Sequence, residues 1–470
     1  MTPIAQEAAS TSEWIENLTF DELSIGQSGQ LVRKLKPSDI EAFAAVSGDV
    51  NPAHLNADYA NASMFHGLIA HGMWGGALIS ALLGTQFPGP GTIYLEQVLH
   101  FSKPVRIGDT LTVLATVSAK DAEKNRIELD CQVLNQRGER VLHGLARVIA
   151  PTQKVRLPRM HAPQIGLFDP LARFRELLAL GDGLPPVRCA VVHPCDADSL
   201  KGVLDATRHG VIEPLLVGPE FRLRAIAEEI GMDLQGITMI PAAHSHDAAE
   251  QAVALAVQGQ VQSLIKGSLS TGELIHAVQA SAAMRTGRLL SHVYRFDVPL
   301  YAKPLLITDT VLNMRPDLEQ KADILRNAIQ CAHAVGLEVP RVAVLSAVEI
   351  VNPAVASSID AAALCKMAER GQITGCLIDG PLTFDDAISI QATHLRQIDS
   401  AVAGQADVLL SPDFESGNML ARQLQTFGGA TASGVVLGAR VPIALSSRSE
   451  GPKARVASAV LAQLVAHRMS

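Results

Sequence analysis

Two domains of different fold class are expected from the sequence. The first is an α+β domain in which an antiparallel sheet curls around one apolar helix. The second is an α/β domain with a mostly parallel sheet. Three observations predict this. Strand-like runs before residue 150 follow one another across short turns, which makes antiparallel neighbours. Beyond roughly residue 185 strand-like and helix-like segments alternate, which makes parallel ones. Between them PTQKVRLPRMHAPQI (151–165) sets three prolines among basic residues, the texture of a linker. A chain of 470 residues has room for two or three domains. The expected division is 15–150, a linker over 151–180, and a second domain over 181–470.

Taken in order, Pro37 to Val46 predicts a helix, with Ser38 and Glu41 as a capping box and Gly48 as its stop. Asp49 and His54 follow directly, with Asn51-Pro52 between them. Pro52 is expected to keep the helix from resuming and to push Asn51 toward an extended backbone. The two side chains then share a rigid loop, from which both can reach one water molecule. A polar surface turn uses the same residue types.

From Tyr59 to Leu95 there is no charged residue. That run approaches the length of a membrane span. Its histidines and glycines, and the prolines that follow, favour a helix over His71–Leu83 wrapped by protein. Gly72 leaves an unobstructed N–H at the positive end of that helix, a donor suited to an oxyanion. Three alternating runs follow, TLTVLATV (110–117), RIELDCQVL (126–134) and ERVLHGLARVIA (139–150), the last two joined by the turn NQRG.

Composition excludes several classes of function. Hydrophobic residues make up 48 % of the chain and charged residues 18 %, so disorder is excluded. A formal net charge of −8 argues against nucleic-acid binding. The six cysteines show neither CxxC nor zinc spacing, which points to a reducing cytoplasm and no structural metal. The first residues lack a basic region followed by an apolar one, so no secretory signal is expected. Without a Walker A motif, or a GxGxxG after a strand, no nucleotide cofactor is expected.

GDVNPAH, then HGLIAHGM, then IYLEQVLHFSKPVRIGD, resemble the MaoC-like (R)-specific enoyl-CoA hydratases of the hot-dog fold over about residues 20–150. The resemblance implies that Asp49 and His54 activate water, that the Gly72 N–H holds the thioester oxygen, and that Asn51 and Ser80 lie at the substrate. The implied reaction hydrates a trans-2-enoyl-CoA to the (R)-3-hydroxyacyl-CoA.

In the second domain VPIALSSRSEG (441–451) ends a strand-like run in Ser446-Ser447-Arg448. Ligands of α/β sheets gather at such strand ends, and a hydroxyl beside a guanidinium suits phosphate. MRTGRLLSHV (284–293) adds Arg285 and Arg288, and KGSLSTGEL (266–274) adds another polar junction. These segments, with VAVLSAVEIVNP, GCLIDGPLTFDDAIS and ADVLLSPDFESGNMLARQL, resemble the phosphate acetyltransferase/butyryltransferase family over about 185–470. The resemblance implies acyl transfer between CoA and phosphate without a covalent acyl-enzyme. Ser447 and Arg448 would be catalytic, and Arg285 and Arg288 would bind the anion. Family members carry an acid a few positions after the Ser-Arg pair. Here Lys453-Ala454 stand there, and Glu450 is the nearest acid.

The reading that follows is a bifunctional enzyme, an enoyl-CoA hydratase and a phosphate acyltransferase. Acyl-CoA and phosphate are its small-molecule partners, no cofactor is bound, and no membrane is engaged. A homo-oligomer is expected. The alternative is a hydratase whose C-terminal domain only senses acyl-CoA and oligomerises. A purely structural scaffold is the third reading.

Overall fold

The computed structural model describes residues 13–160, 171–447 and 450–469. It divides into two compact units, Met1–Phe168 and Asp169–Ser470.

In the N-terminal unit one antiparallel sheet runs in the order Ser28–Lys34, Thr110–Asp121, Arg126–Leu134, Arg140–Ile149, Ile93–Gln97, with His100–Phe101 also on Arg140–Ile149. Side chains alternate between its faces, so Leu111, Val113, Ala115 and Val117 are buried in one strand and Ile127, Leu129, Cys131 and Val133 in the next. The helix Gly72–Thr85 packs on that face through Trp74, Ile79, Leu82 and Leu83. The sheet covers only half of this uncharged helix. Met73, Ala77, Ser80 and Gly84 remain exposed, because a single sheet has a single apolar face to offer. The helix has 14 residues. No helix among the described residues is long and apolar enough to cross a membrane.

The first helix spans Pro37–Ser47, and Gly48 ends it at φ +75° as expected. Its cap differs from the expected Ser38/Glu41 box. Pro37 takes the first helical position, so Lys36 is the cap residue, and its N–H donates to Asp39 Oδ2 at 2.8 Å. Pro52 also acts otherwise than expected. It opens a short helix, Pro52–Leu55, because the first position of a helix needs no N–H. Asn51 is extended (φ −54°, ψ 128°), as its place before proline predicts.

In the C-terminal unit eleven strands form one sheet among the described residues. Their spatial order is Thr238–Pro241, Ile212–Gly218, Val187–Val192, Ser263–Lys266, Ile443–Ala444, Thr431–Leu437, Ser291–Asp297, Leu305–Thr308, Val408–Leu410, Arg341–Leu345, Leu377–Leu382. Seven of the ten pairings are parallel, so the sheet is mostly parallel. The antiparallel ones cluster around Thr431–Leu437 and Ser291–Asp297 and reverse the strand direction between two parallel halves. The helix Pro452–Met469 is buried from Arg455 to Ala466 and packs on the sheet.

Within the stretch expected as linker, 151–180, two described segments belong to regular elements. Arg156–Pro158 pairs with Trp14–Glu16, and Ala172–Ala179 is a helix of the second unit. The strand Ser291–Asp297 was not expected. All seven of its residues are buried, and it carries the ion pair Arg295–Asp297 at 2.6 Å, polarity that hid it.

Candidate functional sites

The N-terminal site forms where three segments end. Gly48 turns the chain out of the first helix, and the short helix at Pro52 lifts His54 toward the head of the Gly72–Thr85 helix. His54 Nδ1–H donates to the Ile69 main-chain oxygen at 2.9 Å, which leaves its Nε2 lone pair to a ligand. His71, not singled out by the sequence, caps the central helix and is buried. Its Nε2–H donates to the Asp49 main-chain oxygen at 2.9 Å and so ties the acidic loop to the helix. The Asp49, His54 and His71 side chains each place one ligand-type atom within 4.8 Å of the others.

A cavity of about 300 Å³ opens here. His54, His71 and Gly72 lie on its wall, and Phe101, Val133 and Leu142 add apolar surface. A Cβ at Gly72 would stand 3.1 Å from the Phe101 ring, a tight approach that the ring would have to yield to. As the first residue of its helix, Gly72 has an N–H with no intrahelical acceptor. The arrangement sets the His54 acceptor and the Gly72 donor on the wall of an apolar chamber, with the Asp49 carboxylate beside His54 but not on that wall.

Two expected residues are placed elsewhere. Asn51 Oδ1 accepts from Ala53 N at 3.0 Å, and Asn51 N donates to Asp49 Oδ1 at 3.3 Å, so Asn51 holds the loop. Ser80 lies on the exposed side of the central helix, roughly 12 Å along it from Gly72, and does not line the cavity.

In the C-terminal unit a second cavity of about 420 Å³ is lined by Lys266, Ser270, Thr271, Tyr294, Asn418, Arg422 and Ser447 among others. Strand ends supply Lys266 and Ser447, and the head of the Thr271–Ala280 helix supplies Thr271. Two cations and a helix N-terminus around one space suit an anion. Sequence reading reached KGSLSTGEL but not Lys266 itself, and it missed Arg422, whose helix gave no sign of where it points. Arg285 and Arg288 do not line this cavity. Arg285 donates to the Gln279 carbonyl at 3.0 Å and Arg288 to Gln330 Oε1 at 3.1 Å, both at the surface. Arg448 lies outside the described residues.

Glu450 is buried, which pushes its carboxyl above the usual range. Its oxygens accept from Ser447 N at 2.9 Å and Gln425 Nε2 at 3.0 Å, so it braces the Ser447 loop. Lys453 and Ala454 line a different, smaller cavity with Leu171 and Phe174. None of the described residues lining the anion-suited cavity is acidic.

The family model for "Phosphate acetyl/butaryl transferase" matches residues 242–463, and that for "MaoC like domain" matches residues 24–136. A phosphate acetyltransferase of Rhizobium meliloti is 49% identical over 298 residues, which is 63% of this chain and 94% of that protein. A branched-chain phosphotransacylase from Enterococcus faecalis V583 is 26% identical, with 60% of this chain and 99% of that one covered and a TM-score of 0.53. The R-hydratase PhaJ1 from Pseudomonas aeruginosa is 44% identical over 33% of this chain and 99% of its own, with a TM-score of 0.32. A cavity suited to an anion at strand ends and a relative matched over nearly its whole length agree: the chain belongs to the phosphate acetyl/butyryltransferase family, with a MaoC-like domain preceding the transferase region.

Proposed function

We propose that the chain is bifunctional, hydrating trans-2-enoyl-CoA in its N-terminal unit and exchanging acyl groups between CoA and phosphate in its C-terminal unit. The observation that carries the first activity is the approach of the Asp49 carboxylate to His54, which itself lines a cavity headed by Gly72. Water is held with one hydrogen toward His54 Nε2 and the other toward the Asp49 carboxylate. Its oxygen bonds to C3, Asp49 takes the proton, and the Gly72 N–H stabilises the enolate oxygen of the thioester. Protonation at C2 completes the (R)-3-hydroxyacyl-CoA.

In the C-terminal unit a phosphate oxygen bonds to the thioester carbonyl carbon and the C–S bond breaks. The proton of the attacking hydrogen phosphate passes to the sulfur, so CoA leaves as its thiol and acyl phosphate forms. Lys266, Arg422 and the Thr271 helix head offset the phosphate charge, and Ser447 hydrogen-bonds the reacting oxygen. By the family resemblance Arg448 shares in holding the phosphate charge. The missing acid favours a second reading, in which this unit binds acyl-CoA without turning it over.

Assays of the intact chain with crotonyl-CoA, and with acetyl- or butyryl-CoA plus phosphate, test both. Loss of the enoyl absorbance and phosphate-dependent release of CoA are expected, the second abolished by Arg448→Ala. Absence of CoA release at every chain length leaves the sensing reading alone.

We also propose a cytoplasmic homo-oligomer. Six free thiols suit a reducing compartment. Ile93–Gln97 is an edge strand whose Ile93 and Leu95 are exposed, as are Phe101 and Met73 in the same unit, and such an edge invites a second copy.

A further inference from the structure

Both imidazoles of the N-terminal site are prepared as ligands, although hydration uses only one. His54 gives its Nδ1–H to the Ile69 carbonyl and keeps the Nε2 lone pair. His71 gives its Nε2–H to the Asp49 carbonyl and keeps the Nδ1 lone pair. That Nδ1 is buried with no hydrogen-bond partner, on a side chain only 3% exposed. A buried acceptor without a donor is costly, and hydration gives it no task. The two rings lie 3.9 Å apart between centroids. A histidine whose far nitrogen donates to a carbonyl has its tautomer and orientation set as in metal-ligating histidines. Two imidazoles and one carboxylate, each side chain offering one ligand atom within 4.8 Å of the others, match the donor set of a zinc-class ion more closely than that of magnesium or calcium.

We propose that Asp49, His54 and His71 bind a divalent transition-metal ion of the zinc class, and that the bound ion switches off water activation. It takes the Asp49 carboxylate and the His54 Nε2 lone pair, the two acceptors that would hold the water. The binding rests on the three side chains alone. The switch rests also on the hydration reading.

The test uses the full chain stripped with a chelator. Zn²⁺ is titrated by calorimetry, and Co²⁺ is followed by its visible absorption as nitrogen and oxygen ligands replace water. One equivalent per chain is expected to weaken about tenfold or more in His54→Ala and in Asp49→Asn, with no competition from Mg²⁺. His71→Asn, which puts a residue favoured at helix N-caps in that position, is expected to weaken it similarly. Should that variant fail to fold, the other two decide. Unchanged Zn²⁺ affinity in both His54→Ala and Asp49→Asn overturns the site. Hydration of crotonyl-CoA is expected to fall in proportion to Zn²⁺ occupancy and to return with chelator. Full activity at full occupancy overturns the switch. Normal Zn²⁺ binding by a metal-free protein that never hydrates crotonyl-CoA keeps the site, and overturns the hydration reading together with the switch.

Discussion

Which nitrogen of His54 meets a ligand is decided by a main-chain oxygen fifteen positions away, that of Ile69. The imidazole therefore arrives as a fixed acceptor beside Asp49. Removing either acceptor is expected to lower hydration by roughly 10²–10⁴-fold. Asp49→Asn and His54→Ala both lie at solvent-reached positions, so circular dichroism is expected to show a normal fold. Turnover near wild type in either variant contradicts the mechanism. In the other unit Arg422→Ala is expected to raise KM for phosphate by roughly 10- to 150-fold, with a smaller effect on kcat, since a charge-assisted contact is worth roughly 1.5–3 kcal/mol. Steady-state kinetics with phosphate varied would check it. Asp49 and His54 were legible because they stand five positions apart directly after a helix stop, although His54 sits on the short helix that Pro52 opens. Lys266 and Arg422 were not, because nothing local says that two distant cations will share a cavity.

Helix ends do most of the positioning. Gly48 was readable as a stop, since αL geometry favours glycine and leaves few substitutes. Pro52 was misread as a breaker because the same ring that ends one helix can begin the next. At the head of Thr271–Ala280, Glu273 accepts from Ser245 Oγ at 2.7 Å and Ser270 N at 2.9 Å. The Ser245 hydroxyl first, then the Ser270 N–H and hydroxyl, hold its carboxyl down from 4.5 to about 2. The unfolded chain releases these contacts, so the ionised form stabilises the fold. That contribution is complete above pH 4.5 and is lost as pH falls through about 2. Glu273→Gln is therefore expected to lower the denaturant midpoint at neutral pH. The gap from wild type should narrow steadily in titrations below pH 4.5. A gap independent of pH would show that the carboxylate charge is not involved.

At the scale of the molecule, each unit keeps its own core and its own cavity. Half of the uncharged central helix and the edge strand Ile93–Gln97 remain exposed, which gives a definite expectation for assembly. Light scattering is expected to report a mass above one chain, and Leu95→Lys is expected to lower it. A wild-type chain that runs as a monomer removes that proposal. The order of the two fold classes was legible because the period of apolar residues changes near residue 150. The extent of the linker was not, because whether a proline-containing strand finds a partner depends on Trp14–Glu16, far away in the chain.

Local chemistry by itself determined the two domain classes, the helix stop at Gly48, the alternating strands and the pairing of Asp49 with His54, all of which follow from neighbouring residues. Tertiary structure alone decided which side chains converge. It brought His71 to Asp49 and grouped Lys266 with Arg422. It turned Asn51 and Glu450 into braces and left Ser80, Arg285 and Arg288 outside the cavities. The physical reason is that convergence depends on how separate elements pack, and packing is set by buried surfaces that no short stretch contains.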